Sequence, residues 1–243
     1  MTAATILTLS NGKGIDLTAP RAEDIDFAVI AEHLAKEKRY NGATPGVQYP
    51  VAQHCVIGAD AAFADTKDIQ LAGYFLLHDG AEAFLKDDTT PKKRAIAEIA
   101  ASEFGILATE ILTAFEMLTD RFDAAIHEAA GLAWPPEPSM RAAIKAYDLT
   151  MFVTEWRDLM GSIHHPNWEP YRNITPLPTT IAPWGWKQSA HAFRYRCRKY
   201  LPCFKGSTAA LSPVTDDRIS DLSPRLDLNS NSISESIARS ESQ

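Results

Sequence analysis

The stretch Leu71-Ala72-Gly73-Tyr74-Phe75-Leu76-Leu77-His78-Asp79-Gly80-Ala81-Glu82 runs from an apolar segment directly into a vicinal histidine and aspartate. Read as part of a helix over Ile69–Leu85, it sets His78 and Glu82 four residues apart and Asp79 and Glu82 three apart. Helical side chains at both spacings are neighbours. His78 and Asp79 offer a divalent cation one neutral nitrogen and one anionic oxygen. Two side chains cannot hold a catalytic ion alone, so further ligands are needed. His54, in Val51-Ala52-Gln53-His54, lies on the preceding helical segment, which a helical hairpin brings alongside. Asp148 lies between Ile144 and Phe152 on a later apolar helix, where a buried carboxylate is costly unless paired or metal-bound. Two imidazoles and two carboxylates suit a Lewis-acidic ion that keeps positions open for water and a phosphate oxygen.

Outward from this stretch the pattern is helical almost throughout. Before it, Ile6–Leu9 and Ile15–Leu17 flank Asn11-Gly12-Lys13-Gly14, which predicts a short hairpin. A helix follows Pro20, with Glu23 and Asp24 in its first turn and Ile25, Val29, Ile30 and Leu34 at helical spacing. Residues 36–49 read as a long loop broken by Gly42, Pro45 and Gly46, of a length more often functional than idle. Helices are then expected over Val51–Phe63, from Thr90-Pro91 with Ile96, Ile99 and Ala100 inward, over Ala108–Ala130, and from a Ser139 cap to Met160. The Ala108–Ala130 stripe comprises Ile111, Leu112, Phe115, Leu118, Phe122 and Ile126. Residues 161–184, with five prolines, read as an irregular strap, and Trp186–Leu201 as a final helix. Beyond Lys205 serine and aspartate replace aromatics, and residues 206–243 read as a disordered tail after a domain of residues 1–205.

The chain has 243 residues and a formal charge of −7, which disfavours general attraction to nucleic acid or to an anionic membrane. It contains no apolar stretch of membrane-spanning length and no secretion signal at its start. Cys55, Cys197 and Cys203 form neither a zinc spacing nor an even disulfide set, so a reduced cytoplasm is expected and the thiols are read as packing. Scattered glycines argue against a phosphate loop or a dinucleotide fold.

The order His54, His78-Asp79, Asp148 resembles the H…HD…D signature of the HD-domain metal-dependent phosphohydrolases, and most closely their 5′-deoxynucleotidase branch with the related phage-type nucleotide phosphohydrolases. The likeness spans roughly residues 25–160. Arg39-Tyr40 precedes the first histidine as an Arg-aromatic pair does in that branch, and His78–Lys93 keeps its HD, Glu, Asp, Thr-Pro, Lys order without insertion. Pro50, Gln53 and Asp88 depart from the branch's usual residues, and loss of a charge at Gln53 bears on contacts around the metal. The resemblance implies an all-α HD-domain helical bundle. It implies one divalent ion (Mn, Co, Fe, Zn or Mg) on His54, His78, Asp79 and Asp148. It also implies hydrolysis of phosphate from a nucleotide, as a 5′-deoxynucleotidase or a dNTP phosphohydrolase. Arg39 and Lys93 would then contact phosphate, Glu82 would orient or deprotonate the attacking water, and Asp87 would protonate the leaving 5′-oxygen or hold the sugar. The alternatives are a silent module that binds a nucleotide or protein, and a phosphodiesterase or pyrophosphohydrolase acting on another nucleotide. Apolar helical faces make a homo-oligomer reasonable. His164-His165 are read as loop residues, Asp123 and His127 as a surface pair, and the basic residues from Arg194 to Lys205 as a solvated face over a core stripe.

Overall fold

A computed structural model describes residues 5–161 and 168–205 of the chain. The expected tail and His164-His165 lie outside these residues. The described chain is mainly helical, with a single antiparallel hairpin of β1 (Ile6–Thr8) and β2 (Gly14–Asp16), registered Leu7 opposite Ile15. None of its helices is long and apolar enough to cross a membrane.

The bundle is built on α1 (Phe27–Lys36), α2 (Val51–Thr66), α3 (Ile69–Leu77) and α8 (Trp186–Tyr200), which pack on one another. α7 (Pro138–Leu159) lies across α2 and α3. Local chemistry sets the boundaries. Asp26 caps α1 by accepting from Ala28 N, and Asp68 caps α3 by accepting from Gln70 N and Leu71 N. The acidic Glu23 and Asp24, expected in the first turn of α1, form a separate 3-10 turn ahead of that cap. α7 starts one residue before Ser139, on Pro138, a residue suited to the first helical turn.

The core runs through Ile30, Leu34, Phe75, Leu76, Leu77, Phe122, Ile126, Tyr147 and Phe193. α2 and α3 approach closely at Gly58, where an added Cβ would fall 2.1 Å from Phe75 Cε1. Gly58→Ala is therefore expected to destabilise the fold by about 1–3 kcal/mol, the usual cost of overpacking, checked by urea denaturation. On the α2–α8 side, Arg196 Nη2 pairs with Asp60 Oδ2 at 2.7 Å and Tyr200 donates to Asp60 Oδ1 at 2.6 Å. The basic face of α8 is thus solvated except at Arg196, which turns inward.

Two expectations fail in ways that matter for the site. The helix expected over Ile69–Leu85 breaks: α3 ends at Leu77, residues 78–81 form a turn, and α4 (Glu82–Leu85) follows. Gly80 permits the turn, because a Cβ there would lie 2.8 Å from the Leu77 carbonyl oxygen. Further on, α5 (Thr90–Phe104) and α6 (Ala108–Ala130) form a hairpin in which Ile96 and Ile99 face outward; α5 buries only Ala97 and Ala100. The stripe on α6 holds, with Phe122 and Ile126 fully buried and Ile111, Leu112, Phe115 and Leu118 half-buried.

Residues 168–185 have no regular structure beyond a 3-10 turn at Glu169–Tyr171, and this strap is latched along α7. Leu177 N donates to Thr154 Oγ1 at 2.8 Å, Ile181 N to Asp158 Oδ2 at 2.7 Å, and Arg157 to the carbonyls of Leu177 and Thr179.

Candidate metal centre

Four polar side chains meet where α2, the end of α3 and α7 converge. His54 comes from the first turn of α2 and is fully buried. His78 and Asp79 sit in the turn after α3, and Asp148 on the facing side of α7. His54 Nε2 lies 3.2 Å from His78 Nε2, 3.6 Å from Asp79 Oδ2 and 3.7 Å from Asp148 Oδ1. His78 Nε2 lies 3.3 Å from Asp79 Oδ1 and 3.9 Å from Asp148 Oδ1. Bonds of about 2.0–2.2 Å to a common ion place neighbouring ligand atoms roughly 3–3.5 Å apart; His54, His78 and Asp148 lie close enough together to hold one cation after small adjustments, with Asp79 beside them.

The outward ring nitrogens define the state of both imidazoles. His78 Nδ1 is 2.6 Å from the Phe75 carbonyl, which can only accept, so Nδ1 carries the proton. His54 Nδ1 is 2.6 Å from Glu155 Oε1. Burial alone would raise the Glu155 carboxyl, but Arg39 and His54 hold it below the ordinary value, so it too accepts. When both rings are neutral in these tautomers, their Nε2 lone pairs point toward one another. Two acceptors at that distance repel unless a proton or a cation lies between them. Locking the far nitrogen with a carboxylate or carbonyl is also how metal-ligating histidines are oriented.

The carboxylates are held in the same manner. Arg39 donates from Nε to Glu155 Oε2 at 2.9 Å and from Nη1 to Asp79 Oδ2 at 3.3 Å. Arg39, expected to contact phosphate, fastens Asp79 to Glu155. Burial would raise the Asp148 carboxyl, but His78, His54 and Lys145 hold it well below the carboxylate range. Lys145 Nζ lies 2.9 Å from Asp148 Oδ2, leaving Oδ1 toward the histidines. Cys55 also comes near His78 and Asp79, with burial foremost in pushing its thiol up and the acids Asp79 and Glu82 adding to it.

A cleft of about 330 Å³ opens beside this cluster, lined by His78, Asp79, Glu82, Lys93, Phe115 and Thr119 among others. Glu82 starts α4 rather than extending α3, yet the turn still carries it to the cleft. Its Oε2 is buried with no hydrogen-bond partner, and burial, with Asp79 and Asp87 beside it, pushes its carboxyl up to about 10. Asp87 is raised as well, first by burial, with Arg39 opposing and Asp79 adding. Asp79, Glu82 and Asp88 line the cleft, with Asp87 close enough to act on Glu82, and this group of acids calls for a positive charge. Lys93 supplies one at the wall, its Nζ 6.0 Å over the Phe115 ring.

An uncharacterized protein of Rhodobacter capsulatus is 31% identical to the chain over 156 residues, covering 62% of this chain and 71% of that protein. The chain belongs to that protein's family. The uncharacterized protein YfdR of Escherichia coli is 30% identical over 137 residues, 56% of this chain, and the match spans 62% of the length of YfdR. No family model matches the chain. The names of these two relatives carry no activity, so the chemistry of the family rests on the geometry above.

Several residues of this region were not legible as site residues. Glu155, fully buried, accepts from His54, Arg39 and, at 2.7 Å, the Tyr40 hydroxyl. Its only sequence signal is a position seven residues after Asp148, two helical turns on the same face. Tyr40 and Asn41 both adopt left-handed backbone angles, φ 58° and 54°, an uncommon conformation for residues other than glycine. Gln53 takes no part in the cluster: its amide donates to the Ala182 carbonyl at 2.8 Å and accepts from Trp184 N at 2.7 Å.

Asp123 and His127, expected as a surface pair, are buried instead. His127 lies between Tyr74 and Trp134, with ring centroids 5.4 and 4.5 Å away, and its Nδ1 donates to the Asp123 carbonyl oxygen at 2.7 Å. Burial lowers His127 to about 4 and raises the Asp123 carboxyl to about 8, leaving both neutral near pH 6. The folded Asp123 therefore binds more protons than the unfolded one, whose carboxyl titrates near 3.9. Its penalty on stability is absent below about pH 4, grows as pH rises, and is complete above about pH 8. Asp123→Asn should then stabilise the protein increasingly across that window, by about 2 kcal/mol at its upper end. Thermal melts of both proteins from pH 4 to 8.5 check this, and an equal gap at every pH would contradict it.

Proposed function

We propose that this protein is a metal-dependent phosphohydrolase of nucleotides, with His54, His78, Asp79 and Asp148 holding one divalent ion. The observation that carries the reading is the pair of opposed Nε2 lone pairs, 3.2 Å apart, ringed by two carboxylates and locked from behind by Glu155 and the Phe75 carbonyl. The order of the four ligands, and the Glu82, Asp87 and Thr90-Pro91 pattern after them, resembles HD-domain phosphohydrolases and supports the same reading. When bound, a divalent ion supplies Lewis acidity and makes water a nucleophile near neutral pH.

The remaining work falls to side chains of the chain itself. Glu82, facing the cleft with a free oxygen, takes the proton of the attacking water, and a nearby cation favours the ionised form it needs. Lys93, half-buried on the opposite wall, receives the phosphate as a point charge. Asp87 protonates the leaving 5′-oxygen or holds the sugar. Arg39 positions Asp79 and so acts on the centre rather than on substrate.

The test is a screen of dNMPs, NMPs and dNTPs with Mn²⁺, Co²⁺ and Mg²⁺, reading orthophosphate, pyrophosphate and tripolyphosphate. Metal-dependent release of orthophosphate from a monophosphate, or of tripolyphosphate from a dNTP, is expected, and a chelator should abolish it. Nucleotide binding without any cleavage under all metals would leave a silent module in its place. Glu82→Gln separates the roles: bound metal should be retained while turnover drops about 10²–10⁴-fold, the range of a lost general base. Turnover near the parent rate would remove Glu82 from that role.

A further inference from the structure

We infer that the chain forms a two-fold dimer through the outer face of α5, pairing that helix antiparallel with its copy. α5 packs chiefly against α6 and buries only two alanines, so most of its surface is left uncovered by the described residues. The uncovered side is not polar. Ile96 and Ile99 are 40% and 57% exposed, and at the hairpin tip Phe104 and Leu107 are 73% and 65% exposed. Scattered surface apolar residues are ordinary, but several large ones grouped on one helical hairpin mark an interaction surface.

The charge pattern selects a second copy as the occupant. Lys92, Ile96, Ile99 and Glu103 follow the 4-3-4 spacing of a helical seam and are all exposed. The order basic, apolar, apolar, acidic is complementary to itself when reversed. In an antiparallel pair about a two-fold axis, Ile96 meets Ile99 of the second copy and Lys92 meets Glu103 of the second copy, each contact occurring twice. Within one chain Lys92 already pairs with Asp88, one turn away, and can share its ammonium between the two acids. A parallel pairing would instead bring like charges together, which costs affinity. The dimer would also brace the wall that α5 gives the cleft through Lys93.

Sedimentation velocity of the full chain at about 50 µM should show twice the chain mass. Ile96→Glu combined with Ile99→Glu should give a folded monomer, since both side chains are exposed and circular dichroism should not change. Lys92→Glu alone should raise the dimer dissociation constant about tenfold, because each reversal acts at two symmetric sites. Adding Glu103→Lys to it should restore the parent value. A parent protein that is monomeric at this concentration overturns the inference, as does a dimer that survives the double glutamate variant or a charge swap that fails to rescue.

Discussion

Asp79→Ala is expected to lose bound divalent metal and phosphate release together. Among the described residues Asp79 is the carboxylate that lies within contact distance of both histidines and also receives Arg39, with Oδ1 3.3 Å from His78 and Oδ2 3.6 Å from His54 and 3.3 Å from Arg39 Nη1. Its removal takes one anionic ligand from the cluster and frees an arginine that then stands beside the cation with nothing between them. The loss of a contact around a metal's own ligands costs about 10–100-fold in affinity, and loss of a ligand more. Turnover should fall by roughly 10³-fold or beyond, matching several kcal/mol of lost charge stabilisation at the phosphate. Metal content after dialysis, measured beside hydrolysis of the preferred nucleotide, checks both. A variant that keeps one equivalent of tightly held metal would disprove the ligand set.

Glu155→Ala should be the most destabilising single change in the chain. The side chain is fully buried and accepts from three donors on two other segments, and one of those donors is the half-buried cation Arg39. Breaking a buried ion pair from one side typically costs about 3–5 kcal/mol, because the surviving charge is left without a partner. The folded carboxyl is held below its ordinary value, so its stabilising contribution is present above the unfolded carboxyl's titration near 4.3 and is lost as pH falls through the folded value. The gap between parent and variant should therefore be full at pH 7 and should close on strong acidification. Glu155→Gln offers a control of equal shape. It should keep more of the stability yet weaken metal binding about 10–100-fold, since an amide orients the His54 ring less firmly than a carboxylate. Denaturation curves at pH 7 and pH 3, with metal titrations of both variants, decide the matter. A Glu155→Ala protein as stable as its parent at pH 7 would refute the account.

The parts of this architecture that local chemistry dictates were readable in the chain, and the parts fixed by tertiary contact were not. The hairpin and most of the helical spans follow from turn residues and apolar spacing, and the convergence of His54, His78, Asp79 and Asp148 follows from donor type and helix order. The break after Leu77 went unread because alanine and apolar residues resume at Ala81 with helical spacing, and only Gly80 marks the bend. Ile96 and Ile99 look like core residues on their own helix, and nothing local says that α6 takes the alanine side instead. Asp123 and His127 carry the composition of a solvated pair, and their burial depends on Tyr74 and Trp134 arriving from elsewhere. Arg39 and Glu155 are 116 positions apart, so their mutual engagement has no trace in either neighbourhood.

The amide of Gln53 grips residues 182 and 184 one position away from His54. A ribosome must therefore have extruded the strap before the helix bearing the first histidine can acquire all its lateral ties. Nascent chains arrested upstream of residue 182 would present the imidazoles without that splint, whereas release of a few dozen residues more would supply it. The bracing of α2 by the strap is in this sense a late event of synthesis, timed by the polypeptide's own order of emergence.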